Sequence, residues 1–168
     1  MHVQALVTAE DAERVRADML LWTPPRGVSR AVLDEWKWIL RSRVINKDSD
    51  LLHWMHARER GRPTRDQWWV ARAGGGGAVE GVLQVRPRDA AGPKIHGLLA
   101  RRPGGGAGTR LVRRALELYH RDRDRGRGRA PGLWVGAHPA ARGFYAKLGF
   151  RPVPGARTKP SEIPMAPR

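Results

Sequence analysis

The apolar residues of this chain change their spacing near Arg62-Pro63, and that change limits the folds open to it. Before it, apolar positions recur every three or four residues, the spacing of one helix face. Ala12, Val15 and Met19 form a first stripe behind Thr8, an N-cap with Asp11 three residues on, a weaker capping box than one with Glu or Gln. Thr23-Pro24-Pro25-Arg26-Gly27 breaks that helix. Val32, Leu33, Trp36, Ile39, Leu40 and Val44 predict a second helix from about Ser29 to Ile45, and a third covers Leu51 to Arg60. Beyond Pro63 the apolar residues come in short runs bounded by glycine and proline. Gln67 to Arg72 and Val79 to Arg86 read as a hairpin turning at Gly74 to Gly77, and Lys94 to Ala100 as a further strand. His2 to Val7 predicts a leading strand. A glycine-rich loop then opens a helix from Thr109 to about His120. Leu133 to Gly136 follows as a strand, and Ala140 to Leu148 as a helix stopped by Gly149. An edge strand is expected near Met165. Helices first, then a strand meander, then strand-loop-helix-strand-helix describe an α+β domain around a central mixed sheet.

With 168 residues the chain suits a single domain, 1–168, with one hydrophobic core. No apolar run is long enough to span a bilayer, and Met1-His2-Val3-Gln4 lacks the layout of a signal peptide. No cysteine is present, which excludes disulfides, thiolate catalysis and cysteine-based metal sites, and fits a cytoplasmic protein. The net charge of +16 favours anionic partners; coenzyme A and RNA both qualify. Much of it lies in Arg121 to Arg129, which reads as a solvated loop.

Arg102-Pro103-Gly104-Gly105-Gly106-Ala107-Gly108-Thr109 sits between an apolar strand and a helix. Glycine lets the backbone take positive φ and come close to a ligand. The first turn of a helix leaves N–H groups unpaired at the positive end of its dipole. A diphosphate seat and a plain glycine-rich connection both fit these residues. The run lacks the Lys-Ser/Thr ending of a nucleoside-triphosphate loop, because Arg110 follows Thr109.

The stretch His138-Pro139-Ala140-Ala141-Arg142-Gly143-Phe144-Tyr145-Ala146-Lys147-Leu148-Gly149-Phe150 makes the reading specific. It resembles the C-terminal motif of the GNAT superfamily: Asn, Ala three residues on, Phe-Tyr, then Gly-Phe. Gly104 to Leu111 resembles that superfamily's pyrophosphate-binding motif, with Gly106-Ala107-Gly108 on its glycine positions. The resemblance covers Gln67 to Val153. It implies a mostly antiparallel GNAT-like sheet flanked by helices, with 67–153 as the cofactor-binding core and 1–66 as acceptor-side helices. It also implies acetyl transfer from acetyl-coenzyme A to an amine. The backbone of Leu98, Leu99 and Ala100 would hold the pantetheine arm, and the amides of Gly104, Gly105, Gly106, Ala107, Gly108 and Thr109 the diphosphate. Tyr145 would stand near the sulfur and protonate the departing thiolate. Pro103 falls where the family has Gln or Arg and offers no donor, so Arg101 and Arg102 are the neighbours able to compensate. His138 falls on the family's Asn.

A tyrosine is a competent proton donor within hydrogen-bond reach, and backbone N–H groups can stabilise an oxyanion. The alternative for Tyr145 is a packing role. His96 lies where some family members carry a base, and its alternative is a satisfied histidine at the sheet surface. Glu80 is a weaker candidate base. His53 and His56 sit one helical turn apart with no third ligand suggested nearby, so no metal site is expected. Trp36 and Trp38 cannot both face the core of one helix, whereas Trp68 and Trp69 point to opposite faces of a strand. The leading expectation is an N-acetyltransferase for a primary amine of a small molecule or peptide. An aminoacyl-tRNA-acetylating toxin, a non-catalytic coenzyme A-binding protein and a basic nucleic-acid-binding module are the alternatives. A homodimer and RNA are carried as further partners.

Overall fold

Residues 1–74, 76–124, 132–155 and 162–167 are described in a computed structural model of the chain, 120–124 as backbone only. Strand β1 (His2–Ala5) runs into three helices, each begun by a hydroxyl that accepts from a backbone N–H of the first turn. Thr8 Oγ1 accepts from Asp11 at α1 (Ala9–Met19), Ser29 Oγ from Val32 at α2 (Arg30–Ile39), and Ser49 Oγ from Leu52 at α3 (Asp50–Glu59). The second helix does not stay α-helical to Ile45. At Leu40–Ile45 it widens into a π turn, in which Asn46 N–H reaches Arg41 O at 2.9 Å. The carbonyls at its end are taken by neighbours: Arg16 Nη2 donates to Ile45 O at 2.7 Å and Ser49 Oγ to Val44 O at 2.9 Å.

The remaining elements are β2 (Gln67–Arg72), β3 (Val79–Arg86), β4 (Lys94–Ala100), α4 (Ala107–Asp124), β5 (Trp134–Ala137), α5 (Arg142–Lys147), β6 (Phe150–Pro152) and β7 (Ile163–Pro167). They build a seven-stranded sheet in the order β1-β2-β3-β4-β5-β7-β6. All neighbours are antiparallel except β4 and β5. The mixed, mostly antiparallel sheet flanked by helices is the architecture the motifs imply. The strand at Met165 is not an edge. It lies between β5 and β6, and β6, which the proline-rich tail conceals in sequence, forms the edge instead.

Both faces of the sheet are covered, which is why β2 reads as a continuous apolar run rather than an alternating one. Trp68 and Val70 face the cluster made with α1, α2 and α3, while Trp69 and Ala71 face the one made with α4 and α5. Both tryptophans are therefore core. Trp36 is buried and Trp38 about half exposed, as their two-residue spacing demands. Helix α4 begins at Ala107, two residues before the expected start, and extends to Asp124, into the Arg-rich run read as a loop. The rest of that run, 125–129, lies outside the described residues.

Candidate active site

Strands β4 and β5 pair at only two positions, Lys94 with Trp134 and Ile95 with Val135. Past these, β4 continues to Ala100 and β5 to Ala137 with no further pairing to each other, so the sheet opens at its middle. An irregularity in β4 helps to set this geometry: Gln84 pairs with Gly97 and Val85 with Ile95, which leaves His96 as the extra, bulged residue. Alternation along the antiparallel β3–β4 ladder decides which backbone groups face the opening. Arg101 N–H donates to Glu80 O at 2.8 Å, so two residues back Leu99 also turns its N–H and C=O to β3. Leu98 and Ala100 turn theirs to the opening. The Ala100 carbonyl is already occupied, accepting from Trp36 Nε1 at 2.8 Å. Of the three residues expected to hold a pantetheine arm through their backbone, Leu98 is thus the one with both groups available.

The opening forms the floor of a cleft of about 490 Å³. The loop before α4 closes one end. Gly104 and Gly106 hold φ of 84° and 89°, a region that side chains with a Cβ rarely adopt. The first bond of the helix runs from Arg110 N–H to Gly106 O at 3.1 Å, which leaves the N–H groups of Ala107, Gly108 and Thr109 without a helical acceptor. Arg102, Gly104, Gly106, Gly108, Thr109 and Lys147 all line the cleft here. Gly108 has a different task from its neighbours: a Cβ there would come within 3.3 Å of Phe144, so glycine lets α4 and α5 approach. The Ala107 side chain is buried in the core. Arg101 pairs with Glu80 at 3.7 Å, and neither it nor Gly105 lines the cleft.

A second, smaller cavity of about 120 Å³ lies against the first. Glu35, Ile39, Leu98, Ala141 and Phe144 line both. The smaller one adds Trp38, Arg43, His96, His138, Tyr145 and Glu162. Tyr145 sits edge-on to Phe144 and Phe150, with ring centroids 5.1 and 5.4 Å away. Burial, and then the carboxylate of Glu35, push its phenol far above the usual range, so it stays protonated. His96 is held down to about 3, first by burial and then by the cations Arg43 and Arg86, with Lys94 adding a smaller push; the nearby Asp50 opposes this only in part. Its Nε2 stands 3.7 Å from Asp50 Oδ2. At neutral pH His96 is therefore a neutral imidazole and a weak base. Asp50 is itself lowered: burial raises it, but the hydrogen bond from Gln84 and the charge and hydrogen bond of Arg43 outweigh that. His138 accepts the Ala140 N–H on Nδ1 at 3.2 Å and starts the single 3₁₀ turn, Pro139–Ala141, that leads into α5. Its Nε2 lies 3.8 Å from Glu35 Oε2.

No family model matches the chain, and no curated protein matches its sequence. Solved structures do match. The PaiA N-acetyltransferase from Thermoplasma acidophilum, in complex with coenzyme A, superposes with a TM-score of 0.56 at 17% identity, covering 98% of this chain and 98% of that one. An acetyltransferase of the GNAT family from Staphylococcus aureus Mu50 gives 0.58 at 12% identity over 98% and 96%. A chain of the KacTA–DNA complex gives 0.55 at 14% over 99% and 92%. The chain has the GNAT fold. Matches at such low identity speak to the fold alone, and the chemistry rests on the site itself.

Within the GNAT fold of this chain, several site residues carry no sequence signal. Val32, Glu35, Trp36 and Ile39 line the cleft from α2, so residues 1–66 contribute to the cavity expected to belong to 67–153. The spacing of Val32, Glu35 and Ile39 reads only as a helix face, whereas the two-residue spacing of Trp36 and Trp38 already leaves one of them for a pocket wall. Lys147 follows Phe144 by one turn and brings a cation to the cleft lining. Glu162 reaches over β5 because position 136 is glycine; a Cβ there would run into its carboxylate. Glu80, the weaker candidate base, is tied to Arg101 and lines neither cavity. His56 faces Glu59 at 3.7 Å, and His53 lines a separate small pocket beside Asp50 and Asp66. No group of three or more metal-ligating side chains is found among the described residues. No described helix is long and apolar enough to cross a membrane.

Proposed function

We propose that the protein is an N-acetyltransferase that moves the acetyl group of acetyl-coenzyme A directly to a primary amine of a small molecule or peptide. One observation carries this reading: a cleft with unpaired helix N–H groups at one end shares a wall with a small cavity that holds Tyr145. The N–H groups of Ala107, Gly108 and Thr109, with Arg102 and Lys147, bind the diphosphate. The Leu98 backbone binds the pantetheine amides along the open edge of β4. The thioester then lies at the shared wall, and the amine enters from the smaller cavity.

The neutral amine attacks the thioester carbon, a C–N bond forms, and the C–S bond breaks as the tetrahedral intermediate collapses. Tyr145 holds its proton more tightly than a thiol does. It therefore acts by donating a hydrogen bond to the developing thiolate, and releases its proton only as one from the amine replaces it. Calorimetric titration with acetyl-coenzyme A tests the cleft, and thiol release with a panel of primary amines tests transfer. Binding with turnover supports the reading, and Tyr145→Phe is expected to lower kcat about 100-fold with acetyl-coenzyme A affinity kept. Unchanged turnover in that variant removes the acid role, and binding without any turnover points to a non-catalytic coenzyme A-binding protein.

The net charge of +16 favours a second reading, in which the acceptor amine is carried on RNA, as in an aminoacyl-tRNA-acetylating toxin. RNA affinity that falls steeply with salt supports this reading, and weak, salt-insensitive binding rejects it.

A further inference from the structure

From the junction of the two cavities we infer that Glu35 is the group that receives the acceptor amine as an ammonium and takes its proton, with His138 as its positioning residue. This rests on the acetyl-transfer reading above. A chain of net charge +16 repels a cation at long range, so an ammonium needs a local carboxylate to settle against. Among the described residues, Glu35 and Glu162 supply the carboxylates of the small cavity, and of these Glu35 alone also lines the cleft. A base has to stand where the two substrates meet, and that wall is where Glu35 sits. His96 does not compete for the ammonium. It faces Asp50 at 3.7 Å and lies in the field of Arg43, Arg86 and Lys94, all of which repel a cation.

His138 fixes the carboxylate through its tautomer. Because Nδ1 accepts the Ala140 N–H, the ring proton is on Nε2, and Nε2 is the atom 3.8 Å from Glu35 Oε2. The imidazole thus offers an N–H toward one carboxylate oxygen and leaves the other for the amine. An asparagine, the residue the motif normally has here, can cap the same turn and offer a side-chain N–H. The protons balance as follows. The ammonium gives one to Glu35, which passes it to water, and the neutral amine attacks. The second proton lost on amide formation ends on the coenzyme A sulfur.

The test uses the full chain with whichever primary amine the thiol-release panel shows to be turned over. Glu35→Gln is expected to lower kcat about 100-fold and raise the acceptor KM, with the acetyl-coenzyme A KM unchanged. A purely structural role of α2 would instead move the acetyl-coenzyme A KM, because Trp36 on the same helix braces Ala100. His138→Ala is expected to lower kcat about tenfold, through loss of the N–H dipole 3.8 Å from the Glu35 carboxylate, and His138→Asn to restore it. Glu35→Gln within twofold of the parent overturns the inference and leaves the acetyl-transfer reading standing. Failure of His138→Asn to restore what His138→Ala loses overturns the positioning role. A parent that binds acetyl-coenzyme A yet turns over no amine removes the transfer reading, and this inference with it.

Discussion

Acid should destabilise this protein through His96 in a way that one substitution removes. In the folded chain His96 is held to about 3, while an unfolded histidine titrates near 6.5. Its folded pKa is depressed, so below about 6.5 the unfolded chain binds a proton that the folded chain refuses, and stability falls as the pH falls. The contribution is fully present above the unfolded pKa and is lost on the way down to about 3. Between pH 8 and pH 5 the linkage relation gives a loss of about 2 kcal/mol from this residue. That figure hardly depends on the folded value, because at pH 5 the folded imidazole is neutral whether it titrates near 3 or a unit higher. Urea unfolding of the parent and of His96→Gln at both pH values isolates the effect, since every other titrating group cancels in the difference. The parent should lose about 2 kcal/mol more than the variant, or about 4–8 °C in Tm for a domain of this size. Equal losses would refute the reasoning and mean that His96 is reached by water or paired as a cation with Asp50. Asp50, also lowered through Gln84 and Arg43, loses stability in the same direction as acid protonates its carboxylate.

Gly106→Val should weaken acetyl-coenzyme A binding by calorimetry, because φ of 89° is strained for a β-branched residue and the N–H cradle would be displaced. Gly108→Val should weaken it too, through the 3.3 Å approach to Phe144, and should cost about 1–3 kcal/mol of stability as an overpacked contact. Lys147→Ala should raise the acetyl-coenzyme A KM with kcat kept, and dephospho-coenzyme A shows whether the lysine serves the diphosphate or the ribose phosphate. Ser49→Ala removes the N-cap of α3 and the bond to Val44 O together, and should cost about 1–2 kcal/mol in chemical denaturation.

The two short motifs placed the cleft, because their chemistry is local: glycine at positive φ before a helix, and a Phe-Tyr pair one turn ahead of a helix stop. Thr8, Ser29 and Ser49 begin their helices through oxygens that reach only three residues, so helix starts are local as well. The strand at β6, the inner place of β7 and the π turn at Leu40–Ile45 are not local. They depend on pairing across the sheet and on Arg16 and Ser49 arriving from other elements. The same division runs through the site. Tyr145 and the loop glycines are legible as residue types in a pattern. Glu35, Lys147 and Glu162 are ordinary surface letters in sequence, and it is folding that sets α2, α5 and the approach to β7 around one opening. His96 shows the limit most clearly. Its strand position and ring suggest a base, but its protonation is governed by burial and by Arg43, Arg86 and Lys94, two of which come from other elements. The sequence determines which groups exist and their local backbone geometry, whereas electrostatic energy depends on through-space distance and exposure to water, which only the tertiary structure decides.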